Sequence, residues 1–359
     1  MTAGEPILDP SDLVSIDQLI ARAVANTDPG LFGWAAAAAG EEVTIARNAV
    51  ALNRLALLSR VMRDVGSVDT STTLLGVPLS VPVFMAPVGA LSLYHPDGAM
   101  GSALAAAEAG TTAFCGMLVS EPWEDLAATA PGRNFFQLYV GGDRGWLADI
   151  IERIESAGFA GLCVTVDTPV IGRRDRSLVD GFIWSAERHE SPFNLARHGG
   201  ADMVHRKRFT WDEFEWICAH TRLPVIVKGV LNPADAARAV EVGAAAVYVS
   251  NHGGRVIDHS VSSIEMLPEV VDAVAGRAQV IVDSGFTRGP EVIKALALGA
   301  TAVGLGRMQC WGLAVGGRAG VARLMAILRQ EIEITMANLG AASVAELTPE
   351  FVRWSFPTR

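Results

Sequence analysis

From about residue 80 onward, short apolar runs rich in β-branched residues alternate with Ala-rich runs whose apolar positions recur every three to four residues. The pattern predicts strands over residues 81–88, 111–117, 134–140, 161–167, 225–230, 245–250, 279–283 and 302–306. It predicts helices over 95–109, 122–128, 146–157, 211–220, 233–242, 264–275 and 290–298, and a last one from about 317 to 338. The strands are apolar almost throughout, as parallel strands buried on both faces must be. Eight such units in succession predict an α/β fold, a parallel (β/α)8 TIM barrel. A doubly wound open sheet is the competing arrangement, but no G-x-G-x-x-G follows the first strand.

Two segments break the rhythm. The first 80 residues carry helical patterns at 13–25 and 42–58, which predict an N-terminal helical cap on the barrel. Residues 168–210, after the fourth strand, are polar and too long for an ordinary connection, and read as a lid-like insertion. Its histidines, His189, His198 and His205, are expected to be solvated rather than metal-bound. Everything from 1 to 359 is expected to form one domain.

Half of the 359 residues are apolar, enough for a barrel-sized core. The net charge of −10 argues against nucleic acid or an anionic membrane surface as a main partner. Residues 1–10 lack the basic and apolar regions of a secretory signal, and no apolar run reaches about 18 residues, so neither export nor a membrane span is expected. Cys115, Cys163, Cys218 and Cys310 are widely spaced and mostly lie in apolar runs. They read as buried thiols of a reducing, cytoplasmic setting, and no metal-ligand spacing accompanies them.

In such a barrel, functional groups stand where strands end. The ends carry Pro87-Val88-Gly89, Gln137-Leu138-Tyr139, Thr165-Val166-Asp167, Lys228, Ser250-Asn251-His252-Gly253-Gly254-Arg255, Asp283-Ser284-Gly285 and Gly306-Arg307. His252 offers a proton acceptor and Arg255 a carboxylate clamp three residues on. The loops after strands seven and eight offer free backbone N–H groups near helix starts, the usual phosphate cradle of this barrel. A buried Lys228 needs an anionic partner.

These residues resemble the FMN-dependent 2-hydroxy acid oxidase and dehydrogenase family, which includes glycolate oxidase, lactate oxidase, mandelate dehydrogenase and the flavin part of flavocytochrome b2. The likeness runs from about residue 10 to 340, through Ser-Asn-His-Gly-Gly-Arg (250–255), Phe-Phe-Gln-Leu-Tyr (135–139), Thr-Val-Asp-Thr-Pro (165–169), Gly-Arg-Arg (172–174), Val-Lys-Gly-Val (227–230) and Lys-Ala-Leu-Ala-Leu-Gly-Ala (294–300). The resemblance implies an FMN enzyme that oxidises a 2-hydroxy acid and passes electrons to oxygen or another acceptor. It implies His252 as the base, removing a proton from the α-carbon or the hydroxyl, and Asp167 as its orienting partner. It implies Arg174 and Arg255 on the substrate carboxylate, Tyr139 on the substrate oxygen and Lys228 beside the flavin. Gln137 and Thr165 would meet the isoalloxazine edge and Asp283 the ribityl chain. Gly306 and Arg307 would hold the phosphate, with Ser284, Gly285 and Arg288 nearby and Pro87, Val88, Gly89, Gly116 and Ser250 lining the cofactor. It also implies a homo-oligomer, commonly a tetramer.

Four departures from the family pattern fall at the substrate or cofactor. Trp34 stands where a carboxylate-binding tyrosine is usual, and Gly116 and Leu118 replace a serine and a bulky aromatic. Thr287-Arg288 replaces a pair of arginines, so one phosphate contact is expected to be lost. Gly89 replaces an alanine near the flavin, with altered oxygen access as the expectation. Together they point to an unusual substrate, with an aryl or branched 2-hydroxy acid preferred. Open alternatives are a flavin monooxygenase that decarboxylates its product, another FMN barrel such as an isomerase, and a non-catalytic FMN scaffold.

Overall fold

The computed structural model describes residues 9–182 and 203–355. Eight parallel strands form its centre: β1 (Val83–Met85), β2 (Phe114–Gly116), β3 (Phe135–Leu138), β4 (Gly161–Thr165), β5 (Val225–Val230), β6 (Ala246–Val249), β7 (Gln279–Val282) and β8 (Val303–Leu305). They pair in the order β1-β8-β7-β6-β5-β4-β3-β2, and a parallel bridge from Met85 to Ala113 brings β2 back beside β1. The TIM barrel is therefore closed, as the periodicity predicts. The paired strands are shorter than the apolar runs because the polar ends leave the ladder and turn over the mouth.

Alternation along each strand separates two cores. Residues facing outward, such as Phe136, Val164, Val227, Val249 and Val282, pack under the helices. Those helices are α1 (Gly98–Glu108), α2 (Trp123–Ala128), α3 (Arg144–Ala157), α4 (Trp211–His220), α5 (Pro233–Glu241), α6 (Ser263–Val274), α7 (Gly289–Ala297) and α8 (Arg307–Leu339). Residues facing inward form a separate cluster of Phe84, Phe114, Phe135, Cys163, Ile226, Tyr248 and Ile281. Phe84 and Phe135 each lie within 4.7 Å of Phe114, centroid to centroid.

The inner cluster is completed by Leu74, Val77 and Leu79, from an antiparallel hairpin of Thr72–Leu74 with Val77–Leu79. This hairpin is absent from the sequence expectation of a helical cap. Its strands are three residues each, too short to register as alternation. The N-terminal helices are Ile16–Asn26, Pro29–Ala36 and Val43–Arg54. The middle one is also unanticipated, although Asp28 accepts from the N–H groups of Gly30 and Leu31 and Pro29 opens it. Leu55–Leu57 then pairs antiparallel with Val352–Trp354.

Helix α8 breaks at Gly316 and Gly317, and its second part matches the predicted final helix. Asp97 caps that part, accepting from the N–H of Arg318 at 2.8 Å. The helix is long and apolar enough to cross a membrane, but 56% of its most apolar stretch is buried inside the protein. Short helices Asp175–Asp180 and Met203–Arg208 lie within the long insertion, near its two ends. Residues 183–202 of the lid-like insertion, and with them His189 and His198, lie outside the described residues.

Candidate active site

Just past the end of β6, His252 has φ 57°, a left-handed conformation uncommon for a residue with a side chain. Buried hydrogen bonds hold it there. Ser250 Oγ accepts from the His252 N–H at 3.0 Å. Ser284 Oγ accepts from the N–H groups of Asn251 (3.3 Å) and Gly253 (3.1 Å) and donates to Asp283 at 2.8 Å. The Asn251 and Asn48 amides exchange two bonds, at 2.7 and 3.0 Å. Such over-determination is what keeps a sparsely populated backbone conformation in place.

The imidazole lies between two groups. Nδ1 is 2.9 Å from Asp167 Oδ1, which also accepts from the Thr168 hydroxyl, and Nε2 is 3.4 Å from the Tyr139 hydroxyl. Burial raises the affinity of the Asp167 carboxyl for its proton, but the His252 charge and hydrogen bond, together with Lys228, outweigh it and hold the carboxyl below its ordinary range. A carboxylate on Nδ1–H leaves Nε2 as the acceptor beside Tyr139. Room for Asp167 comes from a bulge in β5 between Lys228 and Val230. Gly229, at φ 105° within it, has space for no more than a hydrogen.

Lys228 is 3% exposed and donates to Ser250 Oγ at 3.2 Å, with Asp283 Oδ2 at 3.7 Å. Burial pushes its pKa down, yet Asp283 and Asp167 more than offset this, and the net direction is up. It is a fixed cation. Beside it, the Gln137 amide donates to Thr165 Oγ1 at 3.0 Å.

The arginines divide into two kinds. Arg255 Nη1 donates to the carbonyls of Trp34 (3.0 Å), Ala35 (2.8 Å) and Ala37 (2.8 Å). Arg307 bonds to Ala35 O, Ala37 O and Gly253 O at 2.9, 3.2 and 3.0 Å. Both satisfy the exposed carbonyls ending helix Pro29–Ala36. Burial, with Arg174 and Arg307 adjacent, pushes Arg255 down to about 9; burial pushes Arg307 down to about 10. By contrast, Arg174 Nε is buried with no hydrogen-bond partner among the described residues. Arg206 lies with its guanidinium carbon 4.3 Å from the Tyr139 ring centroid.

These groups surround one cavity of about 790 Å³, within the size range of small-molecule sites. Of the residues singled out in the sequence, Trp34, Pro87, Val88, Gly89, Leu118, Gln137, Tyr139, Arg174, Lys228, His252, Arg255, Asp283, Ser284, Gly285, Gly306 and Arg307 line it. Asp167, Thr165 and Ser250 stand behind that wall and bond to His252, Gln137 and Lys228, and Gly116 is also outside the lining. Arg288 is not part of the lining: it turns outward to Glu331 (2.8 Å) and Asp17 (3.5 Å), while Thr287 faces the cavity. Around Gly89 the space is narrow. A methyl group there would lie 2.8 Å from the Leu118 carbonyl oxygen, so Leu118 already occupies the space.

Tyr94, Arg206 and Trp311 also line the cavity, and the strand-end reading missed them. They come from the turn after β1, from the far end of the insertion and from inside α8. No group of three or more possible metal ligands occurs among the described residues. The lining suits FMN: Lys228 and Gln137 provide buried donors, Gly306 leaves open space at the start of α8, and Arg307 supplies positive charge.

Residues 23–354 match the model of the family described as FMN-dependent dehydrogenase. The chain belongs to that family. Among curated relatives of this chain is the L-lactate oxidase of Nostoc sp. (strain PCC 7120 / SAG 25.82 / UTEX 2576), 37% identical over 96% of this chain and 99% of the relative. Glycolate oxidase 3 of Arabidopsis thaliana is 36% identical over 91% and 92% respectively. Among solved structures, a crystal structure of mandelate oxidase superposes with a TM-score of 0.89 at 36% identity, covering 96% of this chain and all of the other. As a member of that family, the chain would hold FMN with Lys228, Gln137, Asp283, Gly285, Gly306 and Arg307.

Proposed function

We propose that this enzyme oxidises a small 2-hydroxy acid to the corresponding 2-oxo acid, with dioxygen or another acceptor taking the electrons in the end. The observation that carries this reading is His252 held between Asp167 and Tyr139 in a cavity that Arg174 lines, its Nε without a hydrogen-bond partner among the described residues. At substrate C2 a C–H and an O–H bond break and a C=O bond forms, releasing two electrons and two protons. FMN supplies the two-electron acceptor for that oxidation when bound. His252 Nε2 takes a proton, and Asp167 stabilises the imidazolium that results. The Tyr139 hydroxyl orients the substrate oxygen. Arg174 and Arg255 bind the substrate carboxylate, for which a planar fork is the better match than an ammonium. Lys228 stabilises negative charge as it accumulates in the cavity.

A cytoplasmic homo-oligomer, a tetramer by resemblance, is part of the proposal. Four unpaired cysteines support a reducing setting, and the family likeness supports the assembly.

The test is anaerobic titration of the FMN-loaded protein with glycolate, lactate, both mandelates and a long-chain 2-hydroxy acid. Loss of the oxidised-flavin band at about 450 nm is the expected result, and its recovery in air marks an oxidase. An FMN-loaded protein that none of these reduces would overturn the proposal.

A further inference from the structure

Of the chain's three tyrosines, Tyr139 stands against His252, and Tyr248 is buried inside the barrel with Lys228 Nζ 5.1 Å from its ring centroid. The third, Tyr94, also lines the cavity. It follows the one-turn helix Leu91–Leu93 between β1 and α1, and the N–H of Ala90 donates to Leu118 O at 2.9 Å to seat that turn. Its ring meets Trp311 edge to face, centroids 6.2 Å apart, and Trp311 in turn stacks on Phe32 at 4.7 Å. Packing of the ring therefore holds Tyr94, and its hydroxyl is not spent on holding it. That hydroxyl has no oxygen or nitrogen partner among the described residues. It meets the Cys310 thiol, a weak acceptor, and the charges of Arg255 and Arg307 act on it.

Arg255 is complementary to it. Nη1 is fixed by the carbonyls of Trp34, Ala35 and Ala37, while Nε and Nη2 have no acceptor among the described residues. Carbonyls orient this buried guanidinium without neutralising it, so an anion must complete it. Trp34 is turned the wrong way to help hold that anion. Its ring packs 5.3 Å from the Arg255 guanidinium carbon, and an aromatic face that attracts a cation repels a carboxylate.

We infer that Tyr94 is a further ligand of the substrate carboxylate, donating its phenolic O–H to the anion that Arg255 binds. The inference rests on the 2-hydroxy acid reading above and adds to it a residue from the turn after β1. Burial keeps the phenol protonated, so it stays a donor at neutral pH. A thiol is the poorer acceptor, so the O–H turns from Cys310 to the carboxylate when substrate enters. The hydroxyl thus adds a donor without adding charge to a cavity already rich in cations.

Binding of 2-oxo acids to the oxidised, FMN-loaded protein, read as a perturbation of flavin absorbance, tests this. The probes are pyruvate and benzoylformate, each against its own amide. In Tyr94→Phe, which keeps the ring against Trp311, Kd for the acids should rise about ten- to a hundredfold. Kd for the amides should rise less, because a bond to a charged acceptor is the stronger one. Reduction by a 2-hydroxy acid should lose more in Kd than in kred, and FMN affinity, measured by fluorescence quenching on reconstitution, should stay near the wild-type value. Unchanged Kd for the acids, or an equal rise for acids and amides, would overturn the inference and leave the 2-hydroxy acid reading standing. So would a large loss of FMN affinity, which would put Tyr94 with Arg307 at the cofactor instead. A wild type that neither binds the acids nor is reduced by any 2-hydroxy acid would overturn that reading as well.

Discussion

A methyl group on Gly229 would lie 2.5 Å from Cβ and Cγ of Asp167, so the bulge in β5 and the partner of the base occupy one another's space. Gly229→Ala should therefore push the carboxylate off His252 Nδ1 and strain a backbone at φ 105°. We expect flavin reduction to slow by about 10²-fold and stability to fall by about 2 kcal/mol. Stopped-flow reduction and thermal unfolding of the same preparation check both.

Removing the base itself, in His252→Ala, should slow reduction by about 10²- to 10⁴-fold while the protein still takes up FMN. Retention of the yellow chromophore together with near-normal reduction would show that proton removal occurs elsewhere.

The acid limb of stability should depend on Asp167. Its carboxyl is held below its ordinary range in the fold, so the folded state binds the proton less readily than the unfolded chain. The contribution is complete above the ordinary carboxylate pKa of about 4 and fades as pH falls through the lower folded value. Asp167→Asn should show a flatter fall in Tm below about pH 5 than the wild type. Parallel curves would mean that other carboxylates govern acid unfolding.

Arg255→Lys should not behave as a conservative change. A single ammonium cannot reproduce a guanidinium that spans three carbonyls and packs 5.3 Å from the Trp34 ring. The loosened helix Pro29–Ala36 should lower Tm by several degrees and raise the apparent Kd for substrate, since Trp34 forms part of the wall.

Arg288→Ala is the opposite case. Its partners are Glu331 and Asp17 on the outside, so FMN affinity, measured by fluorescence quenching on reconstitution, should stay within about twofold of wild type. A large loss would place Arg288 back among the phosphate ligands.

The barrel was legible because parallel strands buried on both faces leave long apolar runs, and a helix must separate each from the next. His252, Asp167, Tyr139 and Lys228 were legible because strand ends converge on one mouth. The hairpin at 72–79 escaped because each strand contributes only three residues. Helix Pro29–Ala36 escaped because its apolar residues surround it, leaving no periodic stripe. Arg288 was misplaced because a sequence does not show to which side of a loop a long side chain turns, and Glu331, which attracts it, lies 43 residues away. Arg206 is likewise joined to Tyr139 only by the folding of the insertion.

The clasp between Leu55–Leu57 and Val352–Trp354 bears on the order in which the molecule is finished. The strand Leu55–Leu57 is made early, but its partner leaves the ribosome roughly 300 positions later. All eight barrel strands emerge in that interval. A nascent chain thus holds every barrel strand before the clasp can close.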